Sequence, residues 1–363
     1  MARTVVPFGP QHPVFPEPIQ LKLECEDEKV VNVTPIIGYI HRGIEKGAER
    51  NRFRQNVFLC ERICGICSFI HALCYCQLIE TMMGVEVPPR AKYLRVIWSE
   101  LSRTHSHLLW LGLLADALGF ESAFMQIWRI REIILDVLEM TSGQRVIQST
   151  CVIGGVRRDI DREMSKAVRR MLEQDFRKLM DPIRDLFLRD YTIKARTVEK
   201  GILPKEDAWR MGAVGPTLRG SGWAWDARMT GYAAYGELGF EPVVEYGCDS
   251  YARTLVRIRE IYQSIFDLVI PALDRIDKMD DREIMVRVEG CPEGEAIMRV
   301  EQPRGELFEY AKGNGTPYLE RLKIRTPTFA NIPPLLVMLP GCELADVPVI
   351  TLSIDPCIAC TER

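Results

Sequence analysis

Apolar residues recur at helical spacing through the middle of the chain, and the pattern changes on either side. Pro88-Pro89 makes a favourable helix start. After it, Tyr93, Leu94, Ile97, Leu101, Leu108 and Leu111 fall on one helical face, which predicts a long helix from about Ala91 to Ala117. Further helices are predicted over Ser122–Met140, Asp161–Phe187 and Ser250–Val269, the last stopping near Pro271. Before residue 60 the apolar stretches Ile19–Glu24 and Val30–Ile40 are short and mixed with Pro13, Pro16, Pro18, Pro35 and Gly38, a texture of strands and turns. The Gly- and Trp-rich segment Gly212–Gly239 suits an irregular surface connection or a partner contact. Beyond Pro271 the runs Ile284–Val288, Ala296–Val300 and Leu335–Leu339 are short again. The fold class expected is mainly α in a single domain: a central bundle of long helices (88–275) flanked by small mixed α+β regions from the two termini (1–87 and 276–363), with the two ends meeting.

Composition narrows the function. A chain of 363 residues that is 47% hydrophobic can bury a sizeable core. Its 47 basic and 50 acidic residues nearly cancel, so no overall field draws nucleic acid or an anionic membrane. No run approaches the roughly 20 apolar residues of a membrane span; the richest, Leu108–Phe120, is too short and contains Asp116. The first residues lack the apolar region of a secretory signal, and a cytoplasmic chain is expected.

Twelve cysteines are many for a reducing compartment, which points to metal or redox chemistry. Cys60, Cys64, Cys67, Cys74 and Cys76 crowd together, and Cys357 and Cys360 stand near the other end. The isolated Cys25, Cys151, Cys248, Cys291 and Cys342 suit small buried hydrophobes. Cys64-x2-Cys67 and Cys357-x2-Cys360 each let a turn aim two soft sulfurs at one point, and together they make a complete tetrahedral set. A structural Zn(Cys)4 site is one reading, although such sites normally lie in compact modules. Cys60-x3-Cys64-x2-Cys67 is also the spacing with which radical S-adenosylmethionine enzymes bind an iron-sulfur cluster. Those enzymes are built from repeated strand-helix units, which the pattern here lacks, and that reading leaves Cys357 and Cys360 unexplained.

Arg62–His71, Arg-Ile-Cys-Gly-Ile-Cys-Ser-Phe-Ile-His, resembles the N-terminal nickel motif of [NiFe] hydrogenase large (catalytic) subunits, and Asp355–Cys360 resembles their C-terminal motif. Gly9–Pro13, Tyr39–Lys46, Val87–Leu109 and Gly154–Asp159 are similar to the quinone-site subunit of respiratory complex I, which itself lacks the four cysteines. The combination resembles the energy-converting, membrane-bound [NiFe] hydrogenases. The resemblance implies a nickel-iron centre with carbon monoxide and cyanide on iron. Cys64 and Cys357 would be terminal nickel ligands, with Cys67 and Cys360 bridging. It implies reversible reduction of protons to H2, with electrons from reduced ferredoxin passing through an iron-sulfur small subunit. It also implies docking, on the cytoplasmic side of the membrane, to integral membrane subunits that move ions. A noncatalytic, quinone-handling subunit is the alternative within the same resemblance.

The resemblance assigns further roles. Cys357, a terminal thiolate, is the expected first proton acceptor. Glu17 matches the family's proton-transfer glutamate; without the resemblance it is a solvated turn. Arg304, in Pro303-Arg304-Gly305, matches the arginine that overhangs the metals, where a permanent positive charge polarises what lies beneath. His71 is expected to orient the ligands by hydrogen bonding. Glu45 matches a glutamate that helps hold magnesium or a second iron near the C-terminus, but the usual histidine three residues after the last cysteine is here Arg363, and a cation does not ligate. His105 is expected as a satisfied core histidine, His107 as a partner of Arg103, and Asp116 as an acid behind the ligands. The sequence stops at Arg363, where a matured large subunit of the family would stop.

Overall fold

The computed structural model describes residues 3–363, all but the first two. Strands β1 (Arg3–Phe8), β2 (Gln20–Glu26) and β3 (Lys29–Ile36) form an antiparallel sheet, as the short apolar runs at that end predict. Helix α1 (Ile44–Arg50) leads to the first cysteine pair, and helix α2 (Ser68–Met83) leaves it. The long helices follow: α3 (Pro89–Ala117) and α4 (Glu121–Ser142) match their predicted spans within a few residues. They pack closely because Gly112 has no side chain, since a Cβ there would stand 2.7 Å from the Trp128 indole nitrogen.

The next two helical runs contain π-helical turns that the sequence pattern does not announce. Arg162–Arg170 continues through Met171–Phe176 into Arg177–Arg189, and Ser250–Tyr262 continues through Gln263–Val269 into Ile270–Lys278. The second run therefore does not stop at Pro271. Pro271 falls just after the π-turn, where the i→i−4 bonding its ring would break is already interrupted.

A second antiparallel sheet closes the chain: β4 (Glu293–Gln302), β5 (Gly305–Asn314) and β6 (Leu319–Arg325). Helix α2 was not anticipated. Its residues are apolar on every side and buried on nearly every side, so it packs against α3 and this sheet without an amphipathic signature. The larger core joins α2, α3, α4 and the four thiols. A smaller one joins Ile19, and Leu21, Leu23 and Val30 of the first sheet, to Leu339, Val347, Ile350, Ile354 and Ile358, so the two ends of the chain do share a core.

The segment Gly212–Gly239 is not a surface connection throughout. Arg219, Asp226, Arg228 and Tyr235 are fully buried and join Glu100 and Arg103 of α3, His107, Glu260 and Glu301 in one ionic network. Every residue from Tyr93 to Leu108 is buried, charged ones included, which explains why α3 shows only a weak periodic pattern.

Candidate metal centre

Both cysteine pairs sit at helix starts. Cys67 precedes α2, and the Cys64 sulfur accepts the N–H of Ile66 at 3.3 Å. Cys357 precedes the short helix Ile358–Glu362, and its sulfur accepts the N–H of Cys360 at 3.4 Å. Thiolates gain from backbone N–H groups in such positions. The two turns face each other across 293 residues of sequence: Cys64 Sγ and Cys357 Sγ are 3.4 Å apart, and Cys67 Sγ and Cys360 Sγ 3.7 Å. Cys64, Cys357 and Cys360 form one candidate ligand group, and Cys67, His71 and Cys360 another. All four thiols are free and buried.

Four thiols in a dry site cannot all ionise alike. Hydrogen bonds donated by Cys357, Cys360 and Cys67, with the nearby Arg304 charge, hold Cys64 well below the ordinary thiol range. Cys360 is pushed well up because its thiol serves Cys357 and Cys64 and is buried. In Cys67 and Cys357 the contact with Cys360 pulls down, but donation to Cys64 and burial outweigh it. A cation that bound all four sulfurs would displace the protons they still carry. Close soft donors, the absence of disulfide pairing and an adjacent permanent cation fit a thiolate-bound nickel-iron group.

Arg304 stands at the tip of the two-residue turn between β4 and β5, where Gln302 pairs with Gly305. Gly305, at φ 132°, lies against the backbone of Val214 and Gly215, and a Cβ there would meet Gly215 N at 2.8 Å. That close approach turns the arginine inward instead of leaving it exposed. Its Nε donates to the Asp355 carbonyl at 3.0 Å, and a terminal nitrogen pairs with the Asp355 carboxylate at 2.9 Å. Asp355 has φ 56°, a left-handed conformation that Asp tolerates better than most residues. The guanidinium thus grips the turn that presents Cys357, and the same nitrogen fork reaches Ser106 Oγ on α3.

His71, one turn into α2, places Nε2 3.4 Å from Cys360 Sγ. Burial pushes its pKa down to about 4, so the ring is neutral, and Nε2 shares a hydrogen bond with the Cys360 sulfur. Glu17 accepts the N–H of Ala359 at 2.8 Å, between Cys357 and Cys360, and is only partly buried. His105 is indeed enclosed: Nε2 meets the Ile66 carbonyl at 2.8 Å inside the first cysteine turn, and burial brings it to about 3. His107 is not the partner of Arg103; it bonds Glu260 at 2.8 Å, because Arg103 is committed to Glu100 and to the carbonyls of Glu301 and Gln302. Asp116 is exposed near the end of α3 and lies away from the ligands, so it is no acid behind them. Cys25 and Cys151 are buried as expected, whereas Cys248, Cys291 and Cys342 are half-exposed. Cys60 lies beside Glu309 and is pushed up by burial and by that carboxylate.

Nothing in the spacing of residues singles out Arg42, whose guanidinium bonds the carbonyls of Ile63 at 2.7 Å and Ala359 at 2.9 Å and so ties one cysteine turn to the other. Thr326 and Thr328 were missed too: Thr326 Oγ1 donates to the Cys360 carbonyl, and Cys357 N donates to Thr328 Oγ1. Glu45 is held by Arg363, Lys323 and Arg321 and by the Ile324 N–H.

Comparison with known proteins agrees with this geometry. The family model described as "Respiratory-chain NADH dehydrogenase, 49 Kd subunit" matches residues 117–290 and 277–363, and that described as "Nickel-dependent hydrogenase" matches residues 42–120. The chain is 41% identical to the membrane-bound hydrogenase subunit alpha of Pyrococcus furiosus, over 99% of this chain and 87% of that protein. It is 40% identical to the carbon monoxide-induced hydrogenase of Rhodospirillum rubrum, over the whole of both. Among solved structures, a chain of the membrane-bound sulfane sulfur reductase, "an archaeal respiratory membrane complex", superimposes with a TM-score of 0.93 at 30% identity, covering 99% of this chain and 98% of that one. The chain belongs to the family that unites the large subunits of membrane-bound [NiFe] hydrogenases with the 49-kDa-type, quinone-site subunit of respiratory complex I.

Proposed function

We propose that the chain is the catalytic subunit of an energy-converting [NiFe] hydrogenase that interconverts protons and H2. The observation that carries this reading is the convergence of Cys64, Cys67, Cys357 and Cys360 from the two ends of the chain onto one buried point. Those four would hold a nickel-iron group that carries carbon monoxide and cyanide on its iron. When bound, the group supplies an open coordination position and the electron chemistry.

The chain's own residues supply the rest. Arg304 fixes a positive charge beside the sulfurs and holds the Asp355 turn in place. Cys357 Sγ takes a proton, and Glu17, anchored on the N–H of Ala359, carries it towards solvent. His71 keeps a neutral N–H on Cys360. Electrons come through an iron-sulfur small subunit fed by a ferredoxin-type donor, because no remaining group of cysteines has the spacing of a relay cluster. Membrane subunits move the coupled ion. Among the described residues no helix is long and apolar enough to cross a membrane, and on this reading the chain docks on those subunits at the cytoplasmic side.

A radical S-adenosylmethionine reading requires Cys60 to join Cys64 and Cys67, but Cys60 is not in either group of converging ligand atoms, and the sheets are antiparallel. The quinone-handling reading leaves the four thiols without purpose. Metal analysis and infrared spectroscopy of the purified complex separate these readings from hydrogenase function. Nickel, with bands from metal-bound carbon monoxide and cyanide, supports the proposal; Cys357→Ser removes both together with hydrogen evolution. Zinc alone, or quinone reduction that survives Cys357→Ser, would sink it.

A further inference from the structure

The magnesium or second iron that the family resemblance implies beside Glu45 does not fit the groups found there. Glu45 opens helix α1, and both its oxygens are in use: Oε1 accepts from Arg363 Nε at 3.1 Å and from Ile324 N at 3.0 Å, and Oε2 from Lys323 Nζ at 3.2 Å and a terminal nitrogen of Arg321 at 3.4 Å. Burial pushes the carboxyl up, but these donors outweigh it and hold Glu45 below the usual carboxylate range. Three cations converge on one carboxylate. A divalent ion arriving there meets positive charge on several sides and finds the carboxylate's acceptor positions taken.

Arg363 is seated by more than Glu45. Another of its nitrogens donates to the Thr361 carbonyl at 2.9 Å, and its guanidinium lies over the Phe329 ring, 5.2 Å from the centroid. Glu362, one residue earlier, accepts the N–H groups of Gly38 at 2.6 Å and Ile40 at 2.5 Å, and its carbonyl oxygen lies 2.6 Å from His41 Nδ1. The other carboxylate in reach is therefore committed as well. A cavity of about 260 Å³, lined in part by His41, Glu45, Lys323 and Arg363, opens beside the pair, so access is not what keeps a metal out. The donor set is.

We propose that the Arg363 guanidinium occupies the place of a divalent cation and ties the segment after Cys360 to helix α1 by an ion pair, so that this chain closes over its thiol centre without a second metal. An arginine stays charged at any working pH and is not removed by a chelator. The role is one of positioning: Arg363 acts on Cys357 and Cys360 through the backbone of a short helix. The inference does not depend on what the four thiols bind.

Manganese(II), which takes carboxylate and imidazole donors and is visible by electron paramagnetic resonance, is the probe. The purified complex is dialysed against a chelator, titrated with manganese(II), and compared with the Arg363→His, Arg363→Lys and Glu45→Gln forms. The native and Arg363→Lys complexes are expected to bind no manganese that Glu45→Gln abolishes, and their Tm is expected to be unmoved by magnesium or by EDTA. Arg363→His is expected to gain one saturable manganese site per chain and a Tm that rises by about 3 °C or more with magnesium. The proposal is overturned if the native complex holds one manganese per chain that Glu45→Gln releases, or if Arg363→His gains no site. Nickel content, measured on the same samples, tests the thiol centre separately, so a failure of the hydrogenase reading stays distinguishable from a failure of this one.

Discussion

Two polar regions are buried against helix α3, and they differ in what each leaves unpaired. In the ionic network Glu100, Asp226, Glu260 and Glu301 each meet a guanidinium of Arg103, Arg219 or Arg228, at distances of 2.6–3.2 Å. Ser264 and Tyr235 add hydroxyl donors to Glu100, and His107 adds a ring nitrogen on Glu260. At the thiol centre four soft donors face one another, with pairs 3.4–3.7 Å apart; backbone N–H groups and His71 touch some of them, but no cation is matched to them, and the nearby guanidinium is occupied with Asp355. Carboxylates that are each matched by a guanidinium act as scaffolding. An excess of one kind of donor is a site.

The widest separation between the two regions is expected from Cys64→Ser. Removing the one thiol that ionises readily should abolish nickel retention and lower hydrogen evolution at least ~10³-fold, while denaturant unfolding of the metal-free chain changes little. Glu260→Ala should do the reverse. Leaving Arg219 and His107 without their partner should cost about 3–5 kcal/mol of stability, read as a lowered denaturation midpoint, with unchanged infrared bands in whatever fraction folds. If Glu260→Ala instead shifts those bands, the network is part of the site and the contrast fails.

Glu17→Gln probes the edge of the thiol centre. The amide keeps the hydrogen bond to Ala359 but carries no proton, so turnover should fall by about 10²-fold at full nickel content. The smallest effect is expected at Glu301, the least well compensated member of the network. Burial, and then the Asp226 charge, push its carboxyl up to about 7, despite Arg219 beside it. A carboxyl raised in the folded state favours folding fully below the unfolded value of about 4.3, and that contribution is lost as pH rises through about 7. Glu301→Gln should therefore flatten the decline in stability between roughly pH 4 and 7; an unchanged slope would show that the proton resides elsewhere.

This contrast also marks what the sequence could disclose. The cysteines were legible because two-residue spacing imposes local geometry and because twelve thiols in one chain require an explanation. Helices α3 and α4 were legible from periodicity, and α2 was hidden because its surroundings are apolar on all sides. The ionic network was invisible: Arg219, Asp226 and Arg228, in a loop rich in glycine and tryptophan, look like solvated charges until the fold buries them. Arg304 and Glu17 were suggested by family resemblance alone, since an arginine or a glutamate among prolines is ordinarily a surface turn. Arg42 lay within a segment quoted for the resemblance, but clamping two backbone turns through carbonyl contacts leaves no pattern along the chain.

The separation of the two cysteine turns bears on how the protein is made. Cys64 and Cys357 are 293 residues apart, so while the chain is being synthesised the emerging polypeptide offers only two of the four sulfurs for almost the whole of translation. Joining ends so distant costs loop entropy that local contacts cannot offset until the intervening helices have packed. The second cysteine turn completes the pocket, and Arg42, Thr326 and Thr328 hold it there through hydrogen bonds to Ala359, Cys360 and Cys357. A four-sulfur pocket of this kind therefore exists only once both distant turns have been brought together, so its assembly reports on the folding of nearly the whole chain.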